Sequence, residues 1–281
     1  MKVLILYKNE NKASKLAVDL SEQLYKKKIK VSTLESSKLE GRSAQDEDMV
    51  FVLGGDGTFL KAARFIAGTG TPILGINHGK IGFLNSIEPD DLPQALKKLL
   101  NHDYYLEKRL MIDITVIREG KNIYQGLALN DAIIRTQALH TININLSINS
   151  AQYANYCGDG VVCATPSGST AYSYSAGGPV IAANVEALVI TPICSQLSCS
   201  RALVVNSAAV LEFAMETDYN AVITVDGDEK VDLNRGDQIQ IKKSSITTNI
   251  VQFTSLSCLN KITQKQEKLI YDKESMTRGR E

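Results

Sequence analysis

The sequence predicts an α/β N-terminal domain followed by a β-rich, β-sandwich-like C-terminal domain. The first third of the chain alternates short apolar runs with segments of helical spacing, which is typical of parallel α/β units. From Met111 onward, β-type segments follow one another with few helical segments between them. The length of 281 residues is enough for two hydrophobic cores. We place the α/β domain at residues 1–105, the β-rich domain at 106–260 and a tail or strap at 261–281.

The N-terminal domain is predicted to contain four strands and three helices. Its apolar runs are short and continuous, as expected of strands that are covered on both faces. Its helical segments repeat apolar residues every three or four positions, and a glycine ends the second one. In chain order, we predict a strand at 3–7, a helix within 12–27, strands at 30–35 and 49–54, a helix at 58–68 and a strand at 72–77. Between 88 and 109 we predict a capped helix, with Asp90 or Asp91 near its start, followed by an extended connector.

The C-terminal domain is predicted to be mostly strands. The segment "TININLSIN" (141–149) alternates apolar and polar residues, which predicts a strand with one solvated face. The segment "VDGD" (225–228) predicts a hairpin turn, because Asp-Gly between two strands is a strong hairpin signal. One helix is expected, at 169–178.

Composition and charge narrow the class of protein. The chain has 44% hydrophobic and 22% charged residues, as soluble globular proteins do. Basic and acidic residues both number 31, so no charge excess favours binding to nucleic acid or to a membrane. The five cysteines show no metal-ligand spacing and are interpreted as buried, reduced thiols. Since the N-terminus also lacks a signal-peptide pattern, we expect a cytoplasmic protein.

The segment "FVLGGDGTFL" (51–60) is the first candidate site, because three glycines surround Asp56 between a strand and a helix. Such a turn lies at the carboxyl end of a strand in an open α/β sheet, where ligands bind. Glycines let backbone N–H groups approach phosphate oxygens, and Thr58 is expected to cap the helix. The turn is neither a Walker A loop nor a G-x-G-x-x-G fingerprint. Two interpretations stay open: a ligand-binding turn, or a tight turn in which Asp56 bonds nearby backbone.

Two further segments combine polar groups with apolar surroundings. The segment "GINHGKIGFL" (75–84) again brings glycines together, and a structural turn is the simpler interpretation. Asn130 and Asp131 fall within the apolar strand pattern "LALNDAII" (127–134), where an amide and a carboxylate are unusual. Because buried polar groups need partners, either the protein or a ligand must satisfy these two side chains.

The segment 156–179 is the most informative one. It carries no charge after Asp159 and stands next to apolar β-type runs. It offers hydroxyls, a backbone that can be approached closely and an aromatic ring, which together suit the sugar and base of a nucleotide. The groups concerned are Thr165, Ser167, Gly168, Ser169, Thr170 and Tyr172.

Taken in this order, the motifs resemble the NAD kinase family, whose enzymes phosphorylate NAD to NADP with ATP or polyphosphate. The matching segments are "GGDGTFL" (54–60), "GINHGKIGFL" (75–84), "LNDAII" (129–134) and "DGVVCATPSGSTAYSYSAGGP" (159–179). GGDG alone is also similar to lipid kinases of the diacylglycerol type and to 6-phosphofructokinases. The segment "TPSGSTAY" (165–172) makes the resemblance specific, and the likeness extends from about Val3 to the 250s.

The resemblance implies a role for each matched residue. Asp56 is expected to act as the general base that engages the adenosine-ribose 2′-hydroxyl of NAD. The phosphate donor, ATP with Mg²⁺ or another divalent cation, is expected to contact Gly54, Gly55, Gly57 and Thr58. NAD is expected to contact Asp56, Gly57, Phe83, Asn130, Asp131, Asp159, Thr165, Ser167, Thr170, Ala171, Tyr172 and Ser175. No metal ligand from the protein is assigned.

The family also implies homo-oligomers, either dimers or tetramers, with sites near subunit contacts. Two positions depart from the commonest pattern. Asp131 stands where many members have glutamate, and both residues occur in the family. Gly227 stands where some members have a ligand-contacting histidine, so a contact there would involve the backbone only.

Two other functions are weighed beside NAD kinase. A lipid or sugar kinase would share GGDGT but would leave the segment 165–172 without a role. A non-catalytic dinucleotide sensor would bind NAD and form no NADP.

Overall fold

The computed structural model describes residues 1–39, 47–78, 82–196 and 201–253, which form two compact units. Of the described residues, the first unit contains those within Met1–Ala62 and Thr71–Glu107 together with 250–253. The second contains Ala63–Gly70 and Lys108–Asn249. Within these described ranges, no helix is both long and apolar enough to cross a membrane.

The first unit is built on a parallel sheet with the strand order β2-β1-β3-β4. Its elements are β1 (Lys2–Tyr7), α1 (Asn11–Lys26), β2 (Lys30–Glu35), β3 (Met49–Gly54), α2 (Asp56–Phe65), β4 (Ile73–Asn77) and α3 (Leu92–Leu100). Residues 63–65 at the end of α2 belong to the second unit. All six residues of β3 are buried, as its continuous apolar sequence predicts. The apolar faces of α1 and α3 contribute Leu20, Leu24 and Leu96 to the same core.

The second unit is a sandwich of two largely antiparallel sheets. Its strands are β5 (Tyr105–Arg118), β6 (Lys121–Ala128), β7 (Asp131–Thr136), β8 (Ile142–Ile148), β9 (Ala151–Gly158), β10 (Gly160–Ala164), β11 (Ala187–Ile193), β12 (Leu203–Asn206), β13 (Leu211–Met215), β14 (Ala221–Val225), β15 (Glu229–Leu233) and β16 (Gln238–Gln252). One sheet has the order β12-β11-β10-β7-β14-β15, and the other contains β16-β13-β8-β9 together with β5 and β6. Residues from both sheets form one core, among them Ile144, Phe213 and Ile223.

Most predicted elements are confirmed. The strands at 30–35 and 49–54 have the predicted ends. In β8, Ile142, Ile144 and Leu146 are buried while Asn143 is exposed, so this strand has the predicted solvated face. The turn between β14 and β15 is the predicted hairpin, and its residues Asp226 and Gly227 have positive φ angles of 49° and 70°.

Two predicted helices differ in their bounds. α2 begins at Asp56 and not at Thr58, because the carbonyl of Gly55 accepts the backbone N–H groups of Thr58 and Phe59. Thr58 therefore lies inside the helix and is not its cap. The predicted helix at 169–178 is a 3₁₀ turn (Gly168–Thr170) followed by a short helix, α4 (Tyr172–Ser175).

The cause of this interruption is local hydrogen bonding by hydroxyl groups. The hydroxyl of Ser169 donates to the carbonyl of Pro166 and that of Thr170 to the carbonyl of Ser167. Such bonds compete with helical ones. Ala171, between the two pieces, has the non-helical ψ angle of −126°.

The cysteines depart in part from the expectation of buried thiols. Cys163 is buried, Cys157 is partly exposed and Cys194 is exposed, and all three are free. Burial raises the pKa of the Cys163 thiol, which makes it a poor nucleophile. Cys199, Cys258 and the predicted tail at 261–281 lie outside the described residues.

Candidate active site

The turn between β3 and α2 begins with a glycine that the fold itself requires. Gly54 is buried, and a Cβ atom there would lie 2.6 Å from the side-chain oxygen of Thr58. Its carbonyl accepts the side-chain amide of Asn85 at 3.0 Å and the backbone N–H of His78 at 3.3 Å. The first glycine of the motif therefore has a packing role.

Asp56, the first residue of α2, is held by two consecutive backbone amides. The N–H of Phe83 donates to Oδ2 at 3.0 Å, and the N–H of Leu84 donates to Oδ1 at 3.2 Å. A Cβ atom at Gly82 would lie 2.1 Å from Asp56 Oδ1, so only glycine fits there without movement. Asp56 is partly exposed. Each carboxylate oxygen can accept more than one hydrogen bond, so the group retains capacity for a ligand.

This arrangement explains part of the segment 75–84. Residues 79–81 lie outside the described ranges, but Gly82, Phe83 and Leu84 surround the carboxylate of Asp56. The segment therefore does more than turn the chain, because it orients the candidate catalytic group.

Gly55 and Gly57 differ from Gly54 because neither packing nor backbone conformation in the described residues requires glycine there. No described atom lies within 4 Å of a Cβ atom built at either position, and neither has a positive φ angle. The first N–H groups of a helix also lack intrahelical acceptors. Open space beside such N–H groups and a helix N-terminus suits an anionic group, which supports contact with a phosphate.

In the second unit, the apolar pattern predicts one strand through Asn130 and Asp131, but the structure has a break between two strands here: Asn130 lies between them and Asp131 begins the second one. β6 ends at Ala128 and β7 begins at Asp131. The backbone N–H groups of Leu129, Asn130 and Asp131 donate to the carboxylate of Asp226 at 3.0, 2.8 and 3.2 Å. The apolar pattern hides this break, because the residues on both sides of it are buried.

The carbonyl groups of the same break are bound by the segment that begins at Thr165. The Thr165 hydroxyl donates to the carbonyl of Leu129 at 2.5 Å, and its backbone N–H donates to the carbonyl of Asn130 at 2.8 Å. A Cβ atom at Gly168 would lie 2.1 Å from the Asn130 oxygen. Thr165 is fully buried, and its hydroxyl binds a backbone carbonyl inside the protein.

The side chains of Asn130 and Asp131 are buried without matching partners in the described part of the chain. Asn130 is 8% exposed, and its Oδ1 atom accepts no hydrogen bond there. Asp131 is 4% exposed. Burial, and secondarily the charge of Asp226, raises the pKa of the Asp131 carboxyl to about 7. Buried polar groups of this kind need partners, and a polar ligand would supply them.

The remaining predicted residues lie in three further places. Ser167 is buried and accepts a hydrogen bond from Arg109 Nη1 at 3.1 Å. Thr170, Ala171 and Ser175 flank or belong to α4. A pocket of about 330 Å³ is lined by Asp159 and Tyr172, together with Arg135, Thr136, Gln137, Ala138, Leu139 and Ile193.

Sequence reasoning did not identify several residues that shape these sites. The sequence indicates Asp226 only as part of a hairpin turn. Its acidic side chain at that turn is the one feature that could have pointed to a further role. Arg64 Nη1 lies 3.3 Å from Asp226 Oδ2, and nothing in the helical pattern of α2 marks it. The sequence does not indicate Gly82, Asn85 or Arg109 either, because each contacts a residue that is distant in sequence.

Comparison with known proteins matches both parts of the chain. The family model of the ATP-NAD kinase N-terminal domain matches residues 3–104, and that of the ATP-NAD kinase C-terminal domain matches residues 129–253. The NAD kinase of Natranaerobius thermophilus is 41% identical over 232 residues, which are 82% of this chain and 80% of that protein. The NAD kinase of Acetivibrio thermocellus is 37% identical over 252 residues, which are 88% and 86% of the two chains.

Solved structures agree with these matches. An NAD kinase from Archaeoglobus fulgidus, in complex with ATP, has a TM-score of 0.73 and 25% identity and covers 90% of this chain and 94% of its own. The yeast NADH kinase complexed with NADH has a TM-score of 0.84 and covers 96% of this chain and 87% of its own. At 21% identity, this second likeness concerns the fold.

The α/β unit with its glycine turn and the β-rich unit with its buried polar break define a two-domain nucleotide kinase. Together with the matched models and relatives, they show that the chain belongs to the ATP-NAD kinase family. NAD kinase activity follows from this membership, which decides against a lipid or sugar kinase and against a non-catalytic sensor.

Proposed function

We propose that the chain transfers the terminal phosphoryl group of ATP to the adenosine-ribose 2′-hydroxyl of NAD, with Asp56 as the general base. The observation that supports this role most directly is the way Asp56 is held. Two backbone amides orient its carboxylate, the residue is partly exposed, and no described atom lies within 4 Å of a Cβ atom built at the neighbouring Gly55 or Gly57. A general base needs this combination of fixed orientation and access.

The chemical step requires one proton acceptor and one phosphate site. Asp56 accepts the proton of the 2′-hydroxyl as this oxygen attacks the γ-phosphorus. The new oxygen–phosphorus bond forms while the bond between the γ-phosphorus and the β,γ-bridging oxygen breaks, so that ADP leaves with the bond's electron pair. Phosphoryl transfer of this kind depends on position and on charge neutralisation.

The donor is proposed to lie against the start of α2, at Gly54, Gly55, Gly57 and Thr58. Magnesium is commonly held by one or two carboxylates together with water and substrate phosphates. Within the described residues no group of three or more acidic, histidine or cysteine side chains is arranged to hold a metal ion, and the carboxylate of Asp56 fits a cation that arrives with ATP. When bound, Mg²⁺ would neutralise the charge of the phosphates.

NAD is the proposed acceptor, and its proposed contacts in the first unit are Asp56, Gly57 and Phe83. In the second unit, Asn130 and Asp131 offer a carbonyl oxygen and a carboxyl group that suit the hydroxyl and amino groups of an adenosine. The further proposed contacts are Asp159, Ser167, Thr170, Ala171, Tyr172 and Ser175. Thr165 is fully buried and its hydroxyl is bonded to Leu129, so we propose that it acts by holding the backbone of Asn130 and not by contact with NAD.

We also propose that the enzyme works in the cytoplasm as a homodimer or homotetramer. The free thiols of Cys157, Cys163 and Cys194 suit a reducing compartment. The oligomer is inferred from the family resemblance, and light scattering coupled to size exclusion would measure it.

Asp56→Asn tests the assignment of the base. Asparagine keeps the size of the side chain but cannot take up the proton, so kcat should fall by about 10²–10⁴-fold. The affinity for NAD, measured by calorimetry, should change far less. NADP formation is followed with a strictly NADP-dependent dehydrogenase.

Asp48→Asn is the matched control in the same unit. Asp48 also accepts a backbone amide, from Lys2 at 2.7 Å, but its side chain is 62% exposed. This variant should keep its turnover. Near wild-type turnover in Asp56→Asn would refute the base assignment.

A further inference from the structure

We propose that Asp226, paired with Arg64, is a positioning residue for the acceptor nucleotide, because it fixes the backbone that presents Asn130 and Asp131. The inference rests on the proposed binding of NAD by these two side chains. Asp226 would not touch NAD itself, since its side chain is 0% exposed.

The geometry is that of a carboxylate enclosed by backbone amides. Three consecutive N–H groups, from Leu129 to Asp131, converge on its two oxygens. The N–H of Asp226 donates in return to the carbonyl of Asp131 at 3.0 Å. With the carbonyls of Leu129 and Asn130 bound by Thr165, the backbone is held from both sides. The directions of the Asn130 and Asp131 side chains are thereby set.

Arg64 supplies the positive charge that a buried carboxylate needs. Its guanidinium lies 3.3 Å from Asp226, 2.7 Å from Asp228 and 3.8 Å from Glu229, and its side chain is only 14% exposed. Glu229 also accepts the hydroxyl of Tyr124. All five residues belong to the second unit, so the arrangement is internal to it.

Asp226 also acts on the charge of Asp131. The groups around Asp131 are Asp226, the buried thiol of Cys163 on β10 and, beyond Asp226, Arg64 with Asp228 and Glu229. Burial raises the pKa of the Asp131 carboxyl most, and the negative charge of Asp226 raises it further. Removal of the Asp226 charge should therefore lower the pKa of Asp131.

Asp226→Asn is the first test, with kinetics over a range of pH. Asparagine places an N–H donor group where one carboxylate oxygen accepts hydrogen bonds. The backbone of residues 129–131 should therefore lose its fixed orientation. We expect the KM for NAD to rise at least about tenfold, which corresponds to losing one or two hydrogen bonds, while the KM for ATP stays within about twofold. If ionised Asp131 accepts a hydroxyl of NAD, the pH above which NAD binds well should also move to a lower value.

Asp237→Asn is a matched control in the same unit. Asp237 is also buried near a turn, accepts the N–H of Asn234 at 2.8 Å and pairs with an arginine, Arg118, at 2.8 Å. This variant should lose a similar amount of thermal stability and keep its KM for NAD. Equal changes in KM in Asp226→Asn and Asp237→Asn would overturn the proposal, because they would show a general loss of structure.

A second pair of variants applies if Asp226→Asn does not fold. Arg64→Lys keeps the charge and should retain most of the affinity for NAD, whereas Arg64→Met should raise the KM for NAD. No difference between these two would overturn the proposal.

Asn130→Ala and Asp131→Ala separate this inference from the proposed function. If neither raises the KM for NAD, the assignment of the acceptor contacts fails, and the positioning role fails with it. If both raise it while the Asp226 and Arg64 variants do not, only the positioning role fails.

Discussion

Asp56 in the first unit and Asp226 in the second are both aspartates whose carboxylates are held by consecutive backbone amides. Phe83 and Leu84 hold the first, and residues 129–131 hold the second. They differ in access and in charge. Asp226 has no exposed side-chain surface and faces Arg64, whereas Asp56 is partly exposed beside glycines with open space. The same device orders a loop in both places, but only the accessible carboxylate can take a proton from a substrate.

Gly82→Ala should give the largest effect on this comparison, because it disturbs the orientation of Asp56 without removing its carboxylate. The new Cβ atom would lie 2.1 Å from Oδ1, so the carboxylate must move. A displacement of about 1 Å in a catalytic group costs about 10²-fold in rate. We expect kcat for NADP formation to fall by about that factor.

A double-mutant cycle provides the control for Gly82→Ala. If the substitution acts through Asp56, adding it to Asp56→Asn should lower kcat by less than about threefold, since the effects of residues in contact are not additive. A full, independent loss in the double variant would show that Gly82 acts by another route.

Asp131→Asn tests the consequence of burying the Asp131 carboxyl group, with the charge of Asp226 as a second cause. The folded-state pKa of Asp131 lies near 7, above its ordinary value of 3.8. Between these values the folded protein binds a proton that the unfolded chain does not, so stability falls as pH rises through this window and levels off above about 7. In Asp131→Asn this fall should be reduced.

The measurement is thermal unfolding of the protein without ligands at pH 5 and at pH 8. We compare the Tm of Asp131→Asn minus the Tm of the wild type at each pH. This difference should be several degrees more positive at pH 8 than at pH 5, because a shift of one pKa unit is worth about 1.4 kcal/mol. Asp218→Asn is the control, since its side chain is 77% exposed. A Tm difference from wild type that is equal at both pH values would contradict the prediction.

The strands of the first unit could be predicted because their signal is local. Continuous apolar residues in β1 and β3 indicate strands covered on both faces, and the structure confirms them. The turn at Asp56 was predicted for the same reason, since the strand, the glycines and the helix are adjacent in sequence.

The partners of the two aspartates could not be predicted in this way. Asp56 meets amides that are 27 and 28 residues away, and Asp226 meets amides that are 95–97 residues away. The hairpin at "VDGD" was predicted, but its position beside Asp131 depends on the pairing of Val225 with Ala132. Strand order of this kind is set by the whole core, so a local pattern does not contain it.

Gly57→Ala should give the smallest effect, and it tests whether the open space beside Asp56 serves the donor. Gly57 lies in the first turn of α2, and a Cβ atom there would meet no described atom within 4 Å. Alanine favours a helix over glycine by up to about 1 kcal/mol, so stability should rise slightly. The KM for ATP should nevertheless increase, by about three- to tenfold, because the methyl group occupies the space proposed for a phosphate.

Val18→Ala is the control, since Val18 is 57% exposed on α1 and alanine is also the better helix former there. That variant should gain stability and keep its KM for ATP. If Gly57→Ala gained stability and kept its KM for ATP, as Val18→Ala should, the space at Gly57 would not bind the donor. The accessibility of Asp56, in contrast to the buried Asp226, would then serve only the acceptor.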